Sequence, residues 1–232
     1  VNNLNEYNED KFCQEFEYTD IAQTAKKEFD QLCWHKTNRN LYSYGTPRKI
    51  HGTVNQTRFS MVPFYYLQPL IEKNPKEIYD LGCGWNIFKK FIPQIIGVSP
   101  EQGVDFFGDI FDIVDDNYIK GHQNYFESVF SINALHFRPL DKLRQSVYDF
   151  ISMVKPGGRG FLAVNLQRYI DQTSKEYLTT IFGTAAPSKV AYDSFVRDAL
   201  STIGINFLII DIDFNNTLND GMDGNIRLVF EK

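Results

Sequence analysis

The end of the chain constrains its fold more than any other stretch. Two apolar runs, Ile205–Asn215 and Asn225–Glu231, read as β-strands, and only the Asn/Asp/Gly-rich segment Asn216–Gly224 joins them. Strands joined over so short a distance must run antiparallel, because a parallel return needs about a dozen residues or more. Upstream the pattern differs. Short apolar runs at Ile78–Leu81, Gln94–Val98, Val104–Phe107, Glu127–Ser131 and Gly160–Asn165 alternate with helical or looped stretches. Alternation of this kind implies βαβ units, a parallel sheet and right-handed crossovers. The chain is therefore expected to form a mostly parallel α/β sheet that finishes with an antiparallel hairpin.

Apolar spacing predicts helices from about Leu140 to Met153, around Ser174–Phe182 and around Ser188–Leu200, with Lys155-Pro156-Gly157-Gly158 closing the first. Nearer the start, Thr19-Asp20 can cap a helix reaching about Trp34, and a second apolar helix is expected from Arg58 to Glu72. Residues 1–56 are polar, aromatic and irregular, and read as a cap or lid segment of helix and loop. Residues 57–232 read as the α/β domain. A chain of 232 residues can bury a sizeable core in one such domain.

Charge and cysteine usage exclude several classes. The formal net charge is −5, and the longest basic clusters are the pairs Lys26-Lys27 and Lys89-Lys90. A duplex-binding surface needs clustered Lys and Arg to offset the phosphates, so no nucleic-acid partner is expected. Cys13, Cys33 and Cys83 are odd in number and share no spacing, which fits neither a disulfide framework nor a metal centre. No apolar run approaches the ~18–20 residues of a membrane span, so no membrane partner is expected. The opening residues are polar and match no leader pattern, and a reducing, cytoplasmic setting is expected.

The chemistry centres on Ile78-Tyr79-Asp80-Leu81-Gly82-Cys83-Gly84-Trp85-Asn86, a strand that ends in a glycine-containing turn opening a helix. Gly82 and Gly84 let the backbone turn sharply and a ligand lie against it, while following N–H groups can meet a carboxylate or hydroxyl. Here the sequence resembles the class I S-adenosylmethionine-dependent methyltransferases, small-molecule type. The resemblance rests on Asp80-Leu81-Gly82-Cys83-Gly84, on Gly108-Asp109-Ile110 after the third strand, on Ser131–His136 after the fourth and on Met153–Gly158 before the fifth. It covers about Arg58 to Lys232 and implies a Rossmann-like seven-stranded sheet with helices on both faces, the C-terminal hairpin being strands six and seven.

The resemblance also implies roles. S-adenosylmethionine is the implied cofactor. Asp80, with the backbone of Gly82, Cys83 and Gly84, would underlie its methionine moiety and ribose. Asp109 would accept from the adenine amino group with Ile110 beside the ring, and Ser131 and Ile132 would border the methionine amine and the sulfonium. Two positions depart from the family pattern. Asn86 replaces the third glycine, and Ser99 ends the second strand where an acidic residue is usual, with Glu101 as its nearest substitute. Ser131–His136 lacks the proline-rich motif of amino-directed DNA methyltransferases and looks like the small-molecule members. His136 is the candidate catalytic base, its imidazole suited to taking a proton from a hydroxyl nucleophile. Tyr42, Tyr44, His51 and Arg58 are candidate substrate contacts, Arg58 through its bidentate fork.

Two other readings follow from the same residues. A dinucleotide-dependent oxidoreductase would want Gly-x-Gly-x-x-Gly/Ala, whereas Trp85-Asn86-Ile87 follow Gly84. A degenerate cofactor-fold protein, serving as a binding or regulatory module, has Ser99 and Asn86 as its signs.

Overall fold

The computed structural model describes residues 66–83, 86, 89, 92–99, 102–103, 106–132, 134, 139–213 and 225–232. Helix α1, over residues 66–73, leads into β1 (Ile78–Leu81) and β2 (Ile95–Ser99). A small ribbon follows, β3 (Gln102–Gly103) against β4 (Phe106–Phe107), then β5 (Ile110–Phe111) and α2 (Asp116–Gly121). Next come β6 (Phe126–Ile132), a 3-10 turn at Leu140–Lys142, α3 (Leu143–Met153) and β7 (Val154–Asn165). The chain continues through α4 (Leu166–Asp171), α5 (Lys175–Phe182) and α6 (Lys189–Ser201) to β8 (Asn206–Asp213) and β9 (Asn225–Glu231).

Seven strands form one sheet in the order β5-β2-β1-β6-β7-β9-β8. Pairings β5–β2, β2–β1, β1–β6 and β6–β7 are parallel, and β9 runs antiparallel between β7 and β8. This is the mostly parallel Rossmann-like sheet with an antiparallel C-terminal hairpin that the sequence predicts. One expected strand is misplaced. Of the expected third strand Val104–Phe107, residues 106–107 pair with 102–103 in the separate ribbon and residues 104–105 lie outside the described residues, while β5 supplies the third strand. The reason is length. Ser99 already pairs with Phe111, so the ribbon takes up the connection where a crossover helix would otherwise lie.

Side chains alternate across the sheet and build two cores. On one face Ile78, Ile95, Phe130, Ile132, Phe161, Ala163 and Val229 pack against Tyr66, Leu67 and Leu70 of α1. The other face, with Leu81, Val98, Val129, Leu162, Val164, Leu228 and Phe230, takes α2, α3 and α6. Helix α3 shows why it docks: Leu143, Val147, Phe150 and Ile151 recur at helical spacing and all are buried.

Helix ends follow local chemistry. Asp115 accepts from the N–H groups of Asn117 and Tyr118 to start α2, and Ser174 and Ser188 cap α5 and α6 by accepting from Tyr177 and Ala191. Gly183, at φ 72°, ends α5 in the left-handed conformation. Lys155–Gly158 forms an excursion inside β7, seen as a register shift opposite Phe126 and Ser128. Gly157 and Gly158 exchange hydrogen bonds there with Lys232, which ties down the C-terminus.

Candidate functional site

Parallel sheets offer ligand sites beyond the carboxyl ends of their strands, where the strand order reverses. Here the order reverses between β1 and β6, and the described residues among those predicted lie at or just beyond the ends of β1, β2 and β6 or at the start of β5. Leaving β1, the chain turns at Gly82, whose φ of 77° is left-handed. The N–H groups of Gly82 and Cys83 both donate to the Val98 carbonyl, at 2.8 and 3.0 Å. A Cβ on Gly82 would fall 2.2 Å from the Cβ of Ala134, so glycine is required for the loop after β1 to approach the segment after β6.

Asp80 lies one residue before the end of β1 and is 2% exposed. Among the described residues its Oδ2 has no hydrogen-bond partner. Burial holds this carboxyl well above the usual carboxylate range, because nothing compensates the loss of water. The buried Cys83 thiol is pushed up as well, by burial first and then by the charges of Asp80 and Asp109. It is a packing residue rather than a nucleophile.

Asp109 is the opposite case. Its Oδ2 accepts from the Gly97 N–H at 2.8 Å and from Asn86 Nδ2 at 3.1 Å, and its Oδ1 pairs with Lys89. Partial burial works against the charge, but the Lys89 and Gly97 hydrogen bonds, the Lys89 charge and Asn86 outweigh it, leaving the carboxyl below its ordinary range. Asn86 is 5% exposed and sits at a left-handed φ of 50°.

The remaining predicted residues are placed as follows. Ser99 ends β2, is buried, and its carbonyl accepts from the Asp112 N–H at 3.2 Å. Ile110 begins β5 and is 40% exposed; beside it Phe111 and Ile113 are 60% and 56% exposed. Ser131 is fully buried, and its hydroxyl donates to the Leu81 carbonyl at 2.8 Å, tying β6 to β1. Ile132 ends β6 on the α1 face. Gly84, Glu101, His136, Tyr42, Tyr44, His51 and Arg58 lie outside the described residues.

Sequence reasoning missed three features. Gly97 inside β2 was one: a Cβ there would come within 2.6 Å of Asn86 and of Cys83 Sγ. An isolated glycine within a strand is itself a signal of close approach. Asp112 was another. It is the first residue past β5, a position visible only once the third strand is placed at Ile110–Phe111. The third is a cluster in which Tyr66 Oη donates to Asp211 Oδ2 and Arg227 Nη1 reaches the same oxygen, both at 2.6 Å. Arg227 pairs in register with Asp211 and with Ala163, which lies opposite Ile132, so the cluster stands level with the end of β6. Among the described residues no group of three or more His, Cys, Asp or Glu is placed to hold a metal ion. No described helix is long and apolar enough to cross a membrane.

No family model matches the chain, and no curated protein matches it in sequence. Solved structures are similar in shape. A SAM-dependent methyltransferase from Archaeoglobus fulgidus aligns at 16% identity over 72% of this chain and 91% of its own, with a TM-score of 0.40. The cyclopropane synthase MmaA2 from Mycobacterium tuberculosis aligns at 12% identity over 94% and 95%, with a TM-score of 0.47. A Burkholderia thailandensis 1,6-didemethyltoxoflavin-N1-methyltransferase, with bound 1,6-didemethyltoxoflavin and S-adenosylhomocysteine, aligns at 9% identity over 92% and 89%, with a TM-score of 0.46. The fold assignment itself stands on the strand order of the sheet.

Proposed function

We propose that the chain is an S-adenosylmethionine-dependent methyltransferase acting on a small-molecule acceptor. The observation that carries this reading is Asp80, a buried carboxyl at the switch point of the sheet whose Oδ2 has no hydrogen-bond partner among the described residues. A native fold rarely leaves such an atom without a partner, because the uncompensated desolvation costs about 1–3 kcal/mol. The ammonium of a methionine moiety would satisfy it.

The other residues fit the same ligand. Gly82 supplies a turn without a side chain beside Asp80. Exposed Ile110, Phe111 and Ile113 offer an apolar edge for a purine ring, and Asp112, between Phe111 and Ile113, offers a carboxylate for the adenine amino group or the ribose hydroxyls. S-adenosylmethionine supplies a sulfonium-activated methyl group, which the acceptor atom attacks in line with the departing thioether.

The protein's part is therefore alignment and exclusion of water, since orientation alone can supply effective molarities of ~10⁵ M or more. Ile132 and Ala134 would wall the reacting centre at the end of β6, and His136, in the same segment, would take the proton from a hydroxyl acceptor. Helix α1 runs opposite to the neighbouring strands, since Asn74 bonds Glu127 at the start of β6 while Tyr66 bonds Asp211 at the far edge. The residues preceding Tyr66 therefore join α1 at the ligand edge, which supports residues 1–56 as a lid bearing Tyr42, Tyr44 and His51. Arg58 belongs to the stretch between that lid and α1.

Titration calorimetry with S-adenosylmethionine, S-adenosylhomocysteine and NAD tests the reading. Micromolar binding of both adenosyl ligands and not of NAD is expected. Absence of adenosyl binding would overturn it in favour of a binding or regulatory module.

A further inference from the structure

The loop after β1 places a side chain where its backbone is left-handed. Asn86 has φ 50°. Asparagine tolerates this region better than most residues, but tolerance does not explain what the amide is for. Asn86 is 5% exposed, and its Nδ2 donates to Asp109 Oδ2 at 3.1 Å. That oxygen also accepts from the Gly97 N–H at 2.8 Å. Lys89, further along the same loop, pairs with Oδ1.

Two details make this more than a surface ion pair. The first is that β5 begins at Ile110, paired with Val98, so no strand residue lies opposite Gly97 on that side. The Asp109 carboxylate stands where a longer third strand would place a carbonyl, and without it the Gly97 N–H loses its acceptor. The second is that Gly97 has no room for a Cβ, which would come within 2.6 Å of Asn86 Cγ, Asn86 Nδ2 and Cys83 Sγ. The amide therefore lies directly on the bare backbone of β2. One carboxylate joins the loop, the second strand and the approach to the third.

We propose that Asn86 and Asp109 form a positioning clamp that holds the glycine loop against β2, and that Asp109 acts on this clamp rather than on a ligand. A glycine at position 86 would keep the backbone angle and lose the clamp. Asn86 is then a gain for this chain, and its departure from the family pattern does not mark decay. The inference rests on the proposed cofactor only for its affinity readout.

Asn86→Gly is expected to weaken S-adenosylmethionine binding at least about tenfold, the scale of a lost hydrogen bond to a charged group. Exchange of the Gly97 amide should accelerate in parallel. Asn86→Asp sets a second carboxylate against Asp109 and should do worse on both measures. The double variant Asn86→Gly/Asp109→Ala closes a double-mutant cycle: once either partner is gone, removing the other breaks little more of the clamp. A combined loss clearly smaller than the sum of the two single losses supports the clamp, since simple packing at position 86 predicts additivity.

Wild-type affinity in Asn86→Gly, or additive losses in the double variant, would overturn the proposal. Should the wild-type protein bind neither adenosyl ligand, the functional reading fails by itself. Gly97 exchange and the thermal midpoints of the same variants then decide the clamp, non-additive losses supporting it and additive losses refuting it.

Discussion

The two halves of the sheet are built differently. From β6 outward to β8 the strands run 7, 12, 7 and 8 residues in spatial order, and their pairing is nearly continuous. From β1 to β5 they run only 4, 5 and 2. The long half buries Phe161, Leu162, Leu228, Val229 and Phe230 on both faces and keeps its charges at the margins. In the short half lie Asp80, whose Oδ2 has no hydrogen-bond partner among the described residues, the left-handed Gly82 and Asn86, and three exposed apolar side chains. Burial of apolar surface stabilises, whereas unsatisfied polar atoms and left-handed backbone cost free energy. The long half therefore holds the domain together, and the short half carries the uncompensated carboxyl and the exposed apolar edge.

The largest effect that sharpens this contrast is expected at Phe230. Its ring packs edge-on against Phe150 and Phe207 and lies over Gly160. Phe230→Ala should cost about 3–5 kcal/mol in denaturant unfolding, with ligand affinity of the folded fraction unchanged. Loss of affinity in step with stability would break the division into halves.

Asp80 offers the converse test. Its carboxyl titrates above the ordinary range when folded, so unfolding releases a proton between the free carboxyl's value of ~3.9 and the folded value. The contribution to stability is fully present below ~3.9 and is lost as pH rises through the folded value. Asp80→Asn should flatten this part of the pH profile and raise stability at neutral pH by about 1–3 kcal/mol. It should also weaken S-adenosylmethionine binding by about tenfold or more. A stability profile parallel to that of the wild type would show that Asp80 is ionised in the free protein.

A smaller effect separates Asp112 from Asp109. Asp112→Ala is expected to reduce cofactor affinity by about tenfold, the equivalent of ~1.4 kcal/mol, while leaving the thermal midpoint in place. Asp109→Ala should lower both. Equal midpoints for the two variants would remove the distinction between a rim carboxylate and a clamp. The smallest effect lies away from the site: Ser188→Ala removes the cap of α6 and should cost about 1 kcal/mol in thermal unfolding, with binding unaffected.

Much of the long half was legible in the sequence. Ser174 and Ser188 announce α5 and α6 because capping is local, and the short link between β8 and β9 dictates an antiparallel pair because chain length does. The short half was legible only as motif. Gly82 declared its turn, but the third strand was misassigned, since Val104–Phe107 and Ile110–Phe111 are both apolar and pairing with β2 selects between them. The same shift moved Asp109 from the predicted end of a strand to a place beside Gly97, and brought Asp112 to the edge.

The sequence by itself determined what depends on periodicity, caps and connection length: the layered α/β class, the closing hairpin and the site of the glycine turn. Tertiary structure decided which polar atoms find partners. Asp80 and Asp109 are the same residue type, yet one is buried with an oxygen that has no partner among the described residues and the other is met by Gly97, Asn86 and Lys89. Their carboxyls are pushed in opposite directions, up for Asp80 and down for Asp109, because desolvation and hydrogen bonding depend on neighbours brought together from distant parts of the chain.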